Sequence, residues 1–265
     1  MSSVHQANLI LGLAAGYHYG DVRPFLSSLE RSGTEGECVL FVSETTRDIE
    51  RMQAHGVTVI PLVRPQGTDD IPYNALRYFL YRTFLASSEI DYARVLITDV
   101  RDVLFQQDPF GYPWPQGINC TLEERRISLG ACPHNSHWVR EHLGEKALAL
   151  VADGPISCSG TSVGSPQAMI GYLDAMINRL LPFAGGVRMA GYDQGVHNVL
   201  LHDGSLSNVT LHDNSGPIMT LGYTLGEPEL DRCGRVLNEK GKPAVIVHQY
   251  DRKPQFFTLI RKRFA

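Results

Sequence analysis

The sequence predicts an α/β fold, a Rossmann-like mixed and mostly parallel sheet flanked by helices, in a single domain of 265 residues. Short apolar runs with strand character alternate with stretches of helical spacing, which is the pattern of βαβ units. Of all residues, 43% are hydrophobic and 20% are charged, so the chain can bury a sizeable core. The length is near the upper limit for one core, and two small domains are the alternative.

The first half of the chain opens with a predicted βαβαβ unit and continues with a helix and a strand. In that helix Leu76, Leu80 and Phe84 recur at helical spacing. The run Arg94-Val-Leu-Ile-Thr98 has the composition of a buried parallel strand. The predicted elements are, in order, strand 8–14, helix 22–31, strand 38–43, helix 45–55, strand 57–62, helix 73–87 and strand 94–98.

The second half is less regular. Residues 111–153 are rich in Pro, His, Trp and Cys and show weak periodicity, so we expect loops around a cleft and one helix near residues 137–151. The run Cys158-Ser-Gly-Thr-Ser-Val-Gly164 predicts a strand and a glycine turn. Ser165-Pro166 then predicts the start of a helix that ends near residue 181, because proline suits the first helical turn.

The charge and the cysteines exclude some classes of protein. The formal net charge is −4, so the chain lacks the broad basic surface that nucleic-acid binding requires, and nucleic acid is not an expected partner. The five cysteines are widely spaced, which indicates reduced thiols rather than a zinc site. No apolar stripe predicts an oligomeric state.

Two segments near the chain ends bear on where the protein resides. The apolar run 9–15 follows no basic residue and is too short to span a bilayer, so we expect a first strand and a cytoplasmic protein. Residues 256–264 are apolar and then basic. They predict a last helix that packs its apolar face, with weak contact to the inner membrane surface as the alternative.

Asp99 and Asp102 follow the strand 94–98 directly. Ligands of open α/β sheets bind outside the carboxyl ends of the strands, so carboxylates there are well placed for chemistry. Two nearby carboxylates suit a hard divalent cation that shares its shell with substrate phosphates. The spacing alone is equally compatible with a structural role, in which Asp99 caps a turn through its side chain and Asp102 pairs with Arg101 or another basic residue.

Two further polar segments are candidates for a site. Residues 191–198 include Asp193 and Gln194, which can bind sugar hydroxyls or a phosphate, or else form a helix start with Asp193 as its cap. His248 ends an apolar run and can ligate a metal, with Arg252 and Lys253 placed to meet phosphate. Considered alone, His248 fits a structural role better.

The central loops carry two histidines three residues apart, His134 and His137. This spacing occurs in metal sites, but the pair lacks further ligands nearby in sequence. We therefore expect both histidines to be structural or to line an acceptor site.

Together, these motifs and their order resemble the GT-A glycosyltransferases, in particular the family 8 retaining enzymes that include glycogenin and bacterial lipopolysaccharide galactosyltransferases. That family places an arginine one helix ahead of an acidic strand end, as Arg82 precedes Asp99 here. Its Asn/Cys-x-Gly segment is similar to Cys158-Ser-Gly160, and its Asp-Gln pair is similar to Asp193-Gln194.

The carboxyl-terminal part of that family has a His followed by Lys-Pro, which His248 and Lys253-Pro254 resemble. Two features differ from the family pattern. The acidic motif is Asp-x-x-Asp rather than Asp-x-Asp, which makes Asp102 the safer metal ligand and leaves Asp99 either a ligand or a partner of Arg101. The segment between His248 and Lys253 also lacks the family's glycine.

The resemblance implies a GT-A fold, with a nucleotide-binding half at 1–110 and an acceptor-side half at 111–265 that ends in a metal and diphosphate segment. It implies Mn²⁺, or Mg²⁺, as the cofactor. In this resemblance the metal ligands are Asp99, Asp102 and His248, and the nucleotide contacts are Ala14, Gly16 and Tyr17, with Tyr17 stacked on uracil. The donor sugar or its phosphates would contact Arg82, Arg252 and Lys253. The reacting face of the sugar would be lined by Asp193 and Gln194.

The implied activity is metal-dependent transfer of a sugar from a nucleoside-diphosphate sugar, of the UDP type, to an acceptor hydroxyl with retention of configuration. Glycans, glycolipids and small molecules all remain open as acceptors, which would bind in loops at 111–153 and 216–241. One alternative is a sugar-phosphate nucleotidyltransferase, although Ala14-Ala-Gly-Tyr17 lacks the basic glycine-rich loop of that class. Another is an inactive protein that binds nucleotide-sugars.

Overall fold

The structure is a computed structural model that describes residues 6–183, 185–186 and 188–265, with the side chain of Glu124 left out. Its helices and strands alternate along the first half of the chain, as the sequence predicts. The strands are β1 (Ala7–Leu13), β2 (Glu37–Val42), β3 (Thr58–Pro61), β4 (Tyr92–Thr98), β5 (Val103–Phe105), β6 (Ile118–Ser128), β7 (Pro155–Gly164), β8 (Val209–His212), β9 (Ile218–Thr220) and β10 (Ile246–His248). The α-helices are α1 (Tyr19–Arg31), α2 (Ile49–Gln53), α3 (Tyr73–Ser87), α4 (Pro133–Leu143), α5 (Glu145–Val151), α6 (Pro166–Leu180), α7 (Tyr192–His202) and α8 (Pro254–Arg263).

The strands form two sheets. The larger sheet has the order β3-β2-β1-β4-β7-β6-β8, and its strand pairs are parallel except for the two pairs that β7 makes with β4 and β6. The smaller sheet has the order β5-β10-β9. Because β5 follows β4 after only a short turn, residues 99–102 connect the larger sheet to the smaller one.

Helices cover both faces of the larger sheet, and the alternation of side chains along β1 shows how. Leu9 and Leu11 pack into the cluster that contains α3, α6 and α7, whereas Ile10 packs into the cluster that contains α1 and α2. The smaller sheet has its own apolar cluster, in which α8 buries Phe256 and Ile260. The elements thus form a layered α/β domain with the sheet in the middle.

Most sequence predictions for the elements are confirmed, including the βαβαβ opening, the mixed and mainly parallel sheet, and helix 73–87 at the same bounds. The central stretch 111–153 differs, because it contains the long strand β6. The single helix expected near 137–151 is two helices, α4 and α5. They are separated by Gly144, whose φ of 89° is outside the helical region and suits glycine.

No helix in the described ranges combines the length and the apolar character needed to cross a bilayer. The last helix packs Phe256 and Ile260 against the smaller sheet, as the sequence predicts. Contact of this segment with a membrane surface stays a prediction, as do the division into halves at residue 110 and the cytoplasmic location.

Candidate metal centre and its flanking clefts

Strand pairing brings Asp99, Asp102 and His248 together at one edge of the two sheets. In the smaller sheet, His248 at the end of β10 lies opposite Val103, the first residue of β5. Asp102 directly precedes Val103, so this register places it beside the imidazole, at 3.8 Å between Oδ1 and Nε2. Asp99 approaches from the end of β4, and its Oδ2 lies 3.3 Å from the same Nε2.

Glycine at position 160 makes room for this cluster. The backbone N–H of Asp99 donates to the Gly160 carbonyl at 2.7 Å, which extends the β4–β7 pairing by one residue. A Cβ at position 160 would lie 2.5 Å from the Asp99 carboxylate and 2.4 Å from Cε1 of His248. Because atoms cannot approach that closely, only glycine leaves this floor of the site open.

The three side chains meet the requirements of a divalent cation. One ligand atom from each of Asp99, Asp102 and His248 lies within 4.8 Å of the other two. Two carboxylate oxygens and one imidazole nitrogen suit hard or intermediate cations such as Mg²⁺ and Mn²⁺, which fill their remaining positions with water or phosphate oxygen. The donor set and the open floor at Gly160 therefore fit a metal ion.

Burial and neighbouring charges shift the pKa values of the three groups in different directions. Burial raises the pKa of Asp102 to about 6, with His248 opposing that rise. Burial also works against the charged form of Asp99, but Arg77 and His248 together lower its pKa to about 2. Burial alone would lower the pKa of His248, yet Cys158, Asp102 and Asp99 raise it well above its usual range. A cation held by Nε2 would need the neutral imidazole, so acid would weaken metal binding.

Arg77 of α3 joins the cluster to Asp193 of α7. Its guanidinium pairs with the Asp99 carboxylate through Nη1 and with the Asp193 carboxylate through Nη2, the latter at 3.1 Å. Asp193 also accepts hydrogen bonds from Asn74 at 2.5 Å and from Ser159 at 3.3 Å. A buried arginine thus fixes one metal-ligand candidate and one residue of the Asp-Gln pair relative to each other.

A first cleft, the β1–β4 cleft, lies between the carboxyl ends of those two strands. It is lined by residues that follow β1, by the start of α3 and by the end of β4. Strand order reverses between β1 and β4, and such a switch point is where open α/β sheets bind ligands. The lining residues are Leu13, Ala15, Tyr17, Tyr73, Asn74, Arg77, Tyr81, Thr98 and Asp99.

A second cleft, the Glu123 cleft, opens on the other side of the centre, with a volume of about 400 Å³. Its wall toward the metal centre consists of Gln194, which follows Asp193, and Gln249, which follows His248. The Glu123 carboxylate accepts hydrogen bonds from both amides, at 2.9 Å from Gln194 and 2.7 Å from Gln249. The lining residues are Glu123, His134, Asn135, Trp138, Gln194, Gly222, Tyr223, Gln249 and Arg252.

Of the residues 14–17, which are expected to contact the nucleotide, some line the β1–β4 cleft and others do not. Tyr17 lines the β1–β4 cleft, and its stacking on a nucleotide base stays a prediction. Gly16 has a φ of 75°, which glycine adopts without strain, and its N–H donates to the Ser43 hydroxyl at 2.8 Å. Ala14 is fully buried, so its side chain cannot touch a ligand, and Ala15 lines the cleft instead.

The three basic residues expected at the donor phosphates lie elsewhere or are engaged. Arg82 pairs with Asp174 at 2.6 Å and does not reach the centre, because it lies about 140° around α3 from Arg77. Arg252 lines the Glu123 cleft. Lys253 is buried, and its ammonium donates to the Thr224 carbonyl, so it holds a loop in place. Asp193 likewise does not cap α7, since Gly191 occupies the N-cap.

Sequence reasoning did not identify Arg77, Glu123 or Gln249 as site residues. Arg77 carries a usable signal, because it is a charged residue in a helix that is otherwise largely apolar. Asn74 lies three residues before it and Tyr81 four residues after it, on the same helix face. Glu123 and Gln249 give no such signal, since their roles depend on a contact across 126 residues of chain.

Comparison with known proteins leaves the family open: no protein-family model matches the chain, and no curated protein matches it significantly. The resemblance to family 8 glycosyltransferases therefore rests on motifs and their order in the sequence. The structure itself establishes an α/β fold with a mainly parallel mixed sheet and an Asp-Asp-His triad that can hold a metal ion.

Proposed function

We propose that this protein is a metal-dependent GT-A glycosyltransferase that transfers a sugar from a UDP-type donor to an acceptor hydroxyl with retention of configuration. The observation that carries the proposal is the convergence of Asp99, Asp102 and His248 beside the β1–β4 cleft. A cation held by these ligands would lie at the edge where α/β sheets bind phosphorylated ligands. That combination suits a nucleoside diphosphate.

Asp99, Asp102 and His248 would hold Mn²⁺ or Mg²⁺. Bound there, the cation would neutralise charge on the leaving diphosphate. Tyr17 offers an aromatic face to the nucleotide base at the mouth of the cleft. Deeper in the cleft, Nε of Arg77 and the hydroxyl of Tyr81 are buried and find no hydrogen-bond partner among the described residues. Both are donors, and an oxygen that reaches them, from an ordered water or from a ligand, would complete their hydrogen bonding.

In the transfer, the bond from the anomeric carbon to the phosphate oxygen breaks, and its electron pair stays on the diphosphate. The acceptor oxygen forms the new bond to the anomeric carbon and loses its proton to the diphosphate or to solvent. Asp193 is 2% exposed, and its carboxylate is engaged by Asn74, Arg77 and Ser159. We therefore assign Asp193 a positioning role at the sugar rather than that of a nucleophile.

The test is calorimetric titration with UDP, with and without Mn²⁺, in the parent protein and in the variants Asp102→Asn and His248→Ala. The proposal expects UDP binding that requires Mn²⁺ and is lost in both variants. Asp174→Asn is the matched control, because this carboxylate pairs with Arg82 away from the triad. A parallel assay follows Mn²⁺-dependent hydrolysis of UDP-sugars, which a protein that only binds the nucleotide would not perform.

Equal UDP binding without metal, or parent-like binding in both triad variants, would overturn the metal-centred proposal. Release of pyrophosphate from a nucleoside triphosphate and a sugar phosphate would instead assign the protein to the nucleotidyltransferases.

A further inference from the structure

The Glu123 cleft combines features that the proposed donor site does not use. Among the described residues, its lining holds a carboxylate, three side-chain amides, an imidazole, a guanidinium and two aromatic rings, and no aliphatic side chain. Its volume of about 400 Å³ is in the range of small-molecule sites. Such a lining favours a ligand that offers many hydrogen bonds over an acyl chain, which would remove water from these polar groups without offering hydrogen bonds in return.

Glu123 forms the floor of the cleft and is 8% exposed. Each of its carboxylate oxygens accepts one amide hydrogen bond, from Gln194 at Oε2 and from Gln249 at Oε1. A carboxylate can accept about four hydrogen bonds, so each oxygen can still accept one from a ligand. A buried carboxylate repels anions and needs hydrogen-bond donors, and neutral hydroxyls meet both conditions.

Trp138 supplies a rigid aromatic wall. Its indole lies against the backbone of Gly191, where a Cβ would come within 2.4 Å of the ring, and its Nε1 donates to the Arg188 carbonyl at 2.7 Å. These two contacts fix the ring plane beside His134 at the edge of the cleft. A fixed indole next to a hydroxyl-binding floor matches a pyranose ring, which has apolar C–H faces and an equator of hydroxyls.

Gln249 connects this cleft to the metal centre. It adopts a left-handed conformation, with φ 59° and ψ 36°, which is uncommon for a residue other than glycine. Its amide holds that conformation by accepting from the Gly222 N–H at 3.0 Å and donating to Glu123. Residues held in this conformation are enriched at functional sites. Here the conformation turns the side chain toward the cleft directly after His248.

From these contacts we propose that the Glu123 cleft is the acceptor site and that the acceptor is a sugar ring, stacked on Trp138 and hydrogen-bonded to Glu123. That the bound sugar is an acceptor rests on the proposed glycosyl transfer, whereas sugar binding in the cleft is supported by the contacts described above. Gln194 and Gln249 would then direct one acceptor hydroxyl toward the metal centre. A free glycan and the sugar headgroup of a glycolipid share this chemistry.

The experiment uses the two tryptophans of the chain, Trp114 and Trp138. The protein is titrated with methyl β-D-galactopyranoside, methyl β-D-glucopyranoside and methyl α-D-mannopyranoside while its fluorescence is followed. At least one glycoside is expected to give a saturable change that persists in Trp114→Phe and vanishes in Trp138→Phe. Trp114 is the matched control, because it is 5% exposed and borders neither cleft.

Glu123→Gln is expected to weaken binding of that glycoside at least tenfold, whereas Glu145→Gln, at an exposed carboxylate paired with Arg140, leaves it unchanged. Hexanol serves as the probe for an apolar acceptor. A saturable response to hexanol alone, or no response to any of the three glycosides in the folded parent protein, overturns the proposal. The same calorimetric UDP titration separates the two proposals, since glycoside binding without Mn²⁺-dependent UDP binding refutes the transferase and leaves the sugar site standing.

Discussion

The Arg77 guanidinium lies 3.1 Å from the Asp193 carboxylate, with only 8% and 3% of the two side chains exposed. The same guanidinium pairs with Asp99, so one guanidinium compensates a buried carboxylate and the partly exposed carboxylate of Asp99. Breaking a buried pair by removing one partner leaves an uncompensated charge, which costs more than losing a surface pair.

Replacement of Arg77 by methionine is therefore expected to lower the free energy of unfolding by about 3–5 kcal/mol. Urea denaturation followed by circular dichroism measures this change. Arg82→Met is the matched control, because Arg82 lies on the same helix and pairs with the half-exposed Asp174. Its expected cost is at most about 1 kcal/mol. Equal effects of the two substitutions would contradict the assigned role of Arg77.

Gly160→Ala is expected to abolish Mn²⁺ binding, because the new Cβ would lie 2.5 Å from the Asp99 carboxylate and 2.4 Å from the His248 ring. Calorimetric titration with MnCl₂ measures the loss. Gly171→Ala in α6 is the control, since a Cβ there meets nothing within 4 Å and alanine favours the helix. Parent-like Mn²⁺ affinity in folded Gly160→Ala would show that the metal does not sit at this floor.

Cys158→Ala is expected to weaken Mn²⁺ binding by about 10- to 100-fold. The Cys158 Sγ lies 3.8 Å from Nδ1 of His248, and an Nδ1–H directed at sulfur leaves the Nε2 lone pair free for a metal. Titration with Mn²⁺ compares this variant with Cys120→Ala, a buried cysteine of β6 whose partner is Ser162. If both alanine variants bind Mn²⁺ equally well, the thiol does not orient the imidazole.

Stability is expected to fall below pH 6.5 because of His197. Burial lowers the pKa of this histidine to about 3, and its two ring nitrogens lie within hydrogen-bond reach of Tyr172 and Ser157. In the unfolded chain it takes up a proton near pH 6.5, whereas the folded protein resists protonation until about pH 3. The free energy of unfolding therefore decreases in that window by up to about 1.4 kcal/mol per pH unit from this residue.

Urea denaturation of the parent protein and of His197→Asn at several pH values between 7 and 4.5 measures this contribution. The variant is less stable at pH 7 because it loses a hydrogen bond, but its stability should decline less steeply with acid. Parallel pH profiles for the two proteins would mean that His197 is not the source of the decline.

Local patterns allowed much of the fold to be predicted. Strand and helix periodicities depend on neighbouring residues, so the βαβαβ opening and the bounds of α3 follow from the chain itself. The elements within residues 111–153 could not be predicted from the sequence as well. The register of β6 against β7 shifts between Cys120 and Thr121 and again between Leu122 and Glu124, and these shifts interrupt the alternation of side chains between the two faces of the strand. Gly144 divides the helix expected there into α4 and α5, a break that apolar spacing does not reveal.

The sequence by itself determined the α/β class and placed Asp99, Asp102 and His248 at or just after the ends of apolar runs, and the order of the motifs, through the family resemblance, made the three candidate ligands. Only the tertiary structure decided that they meet, since Asp99 and His248 are 149 residues apart in the chain and are joined through the register of β10 on β5. It also selected Arg77 over Arg82, because the side of α3 that faces the centre depends on how that helix packs. Periodicity is a local property, whereas a site is made of contacts between distant segments, and strand register and helix rotation fix those contacts.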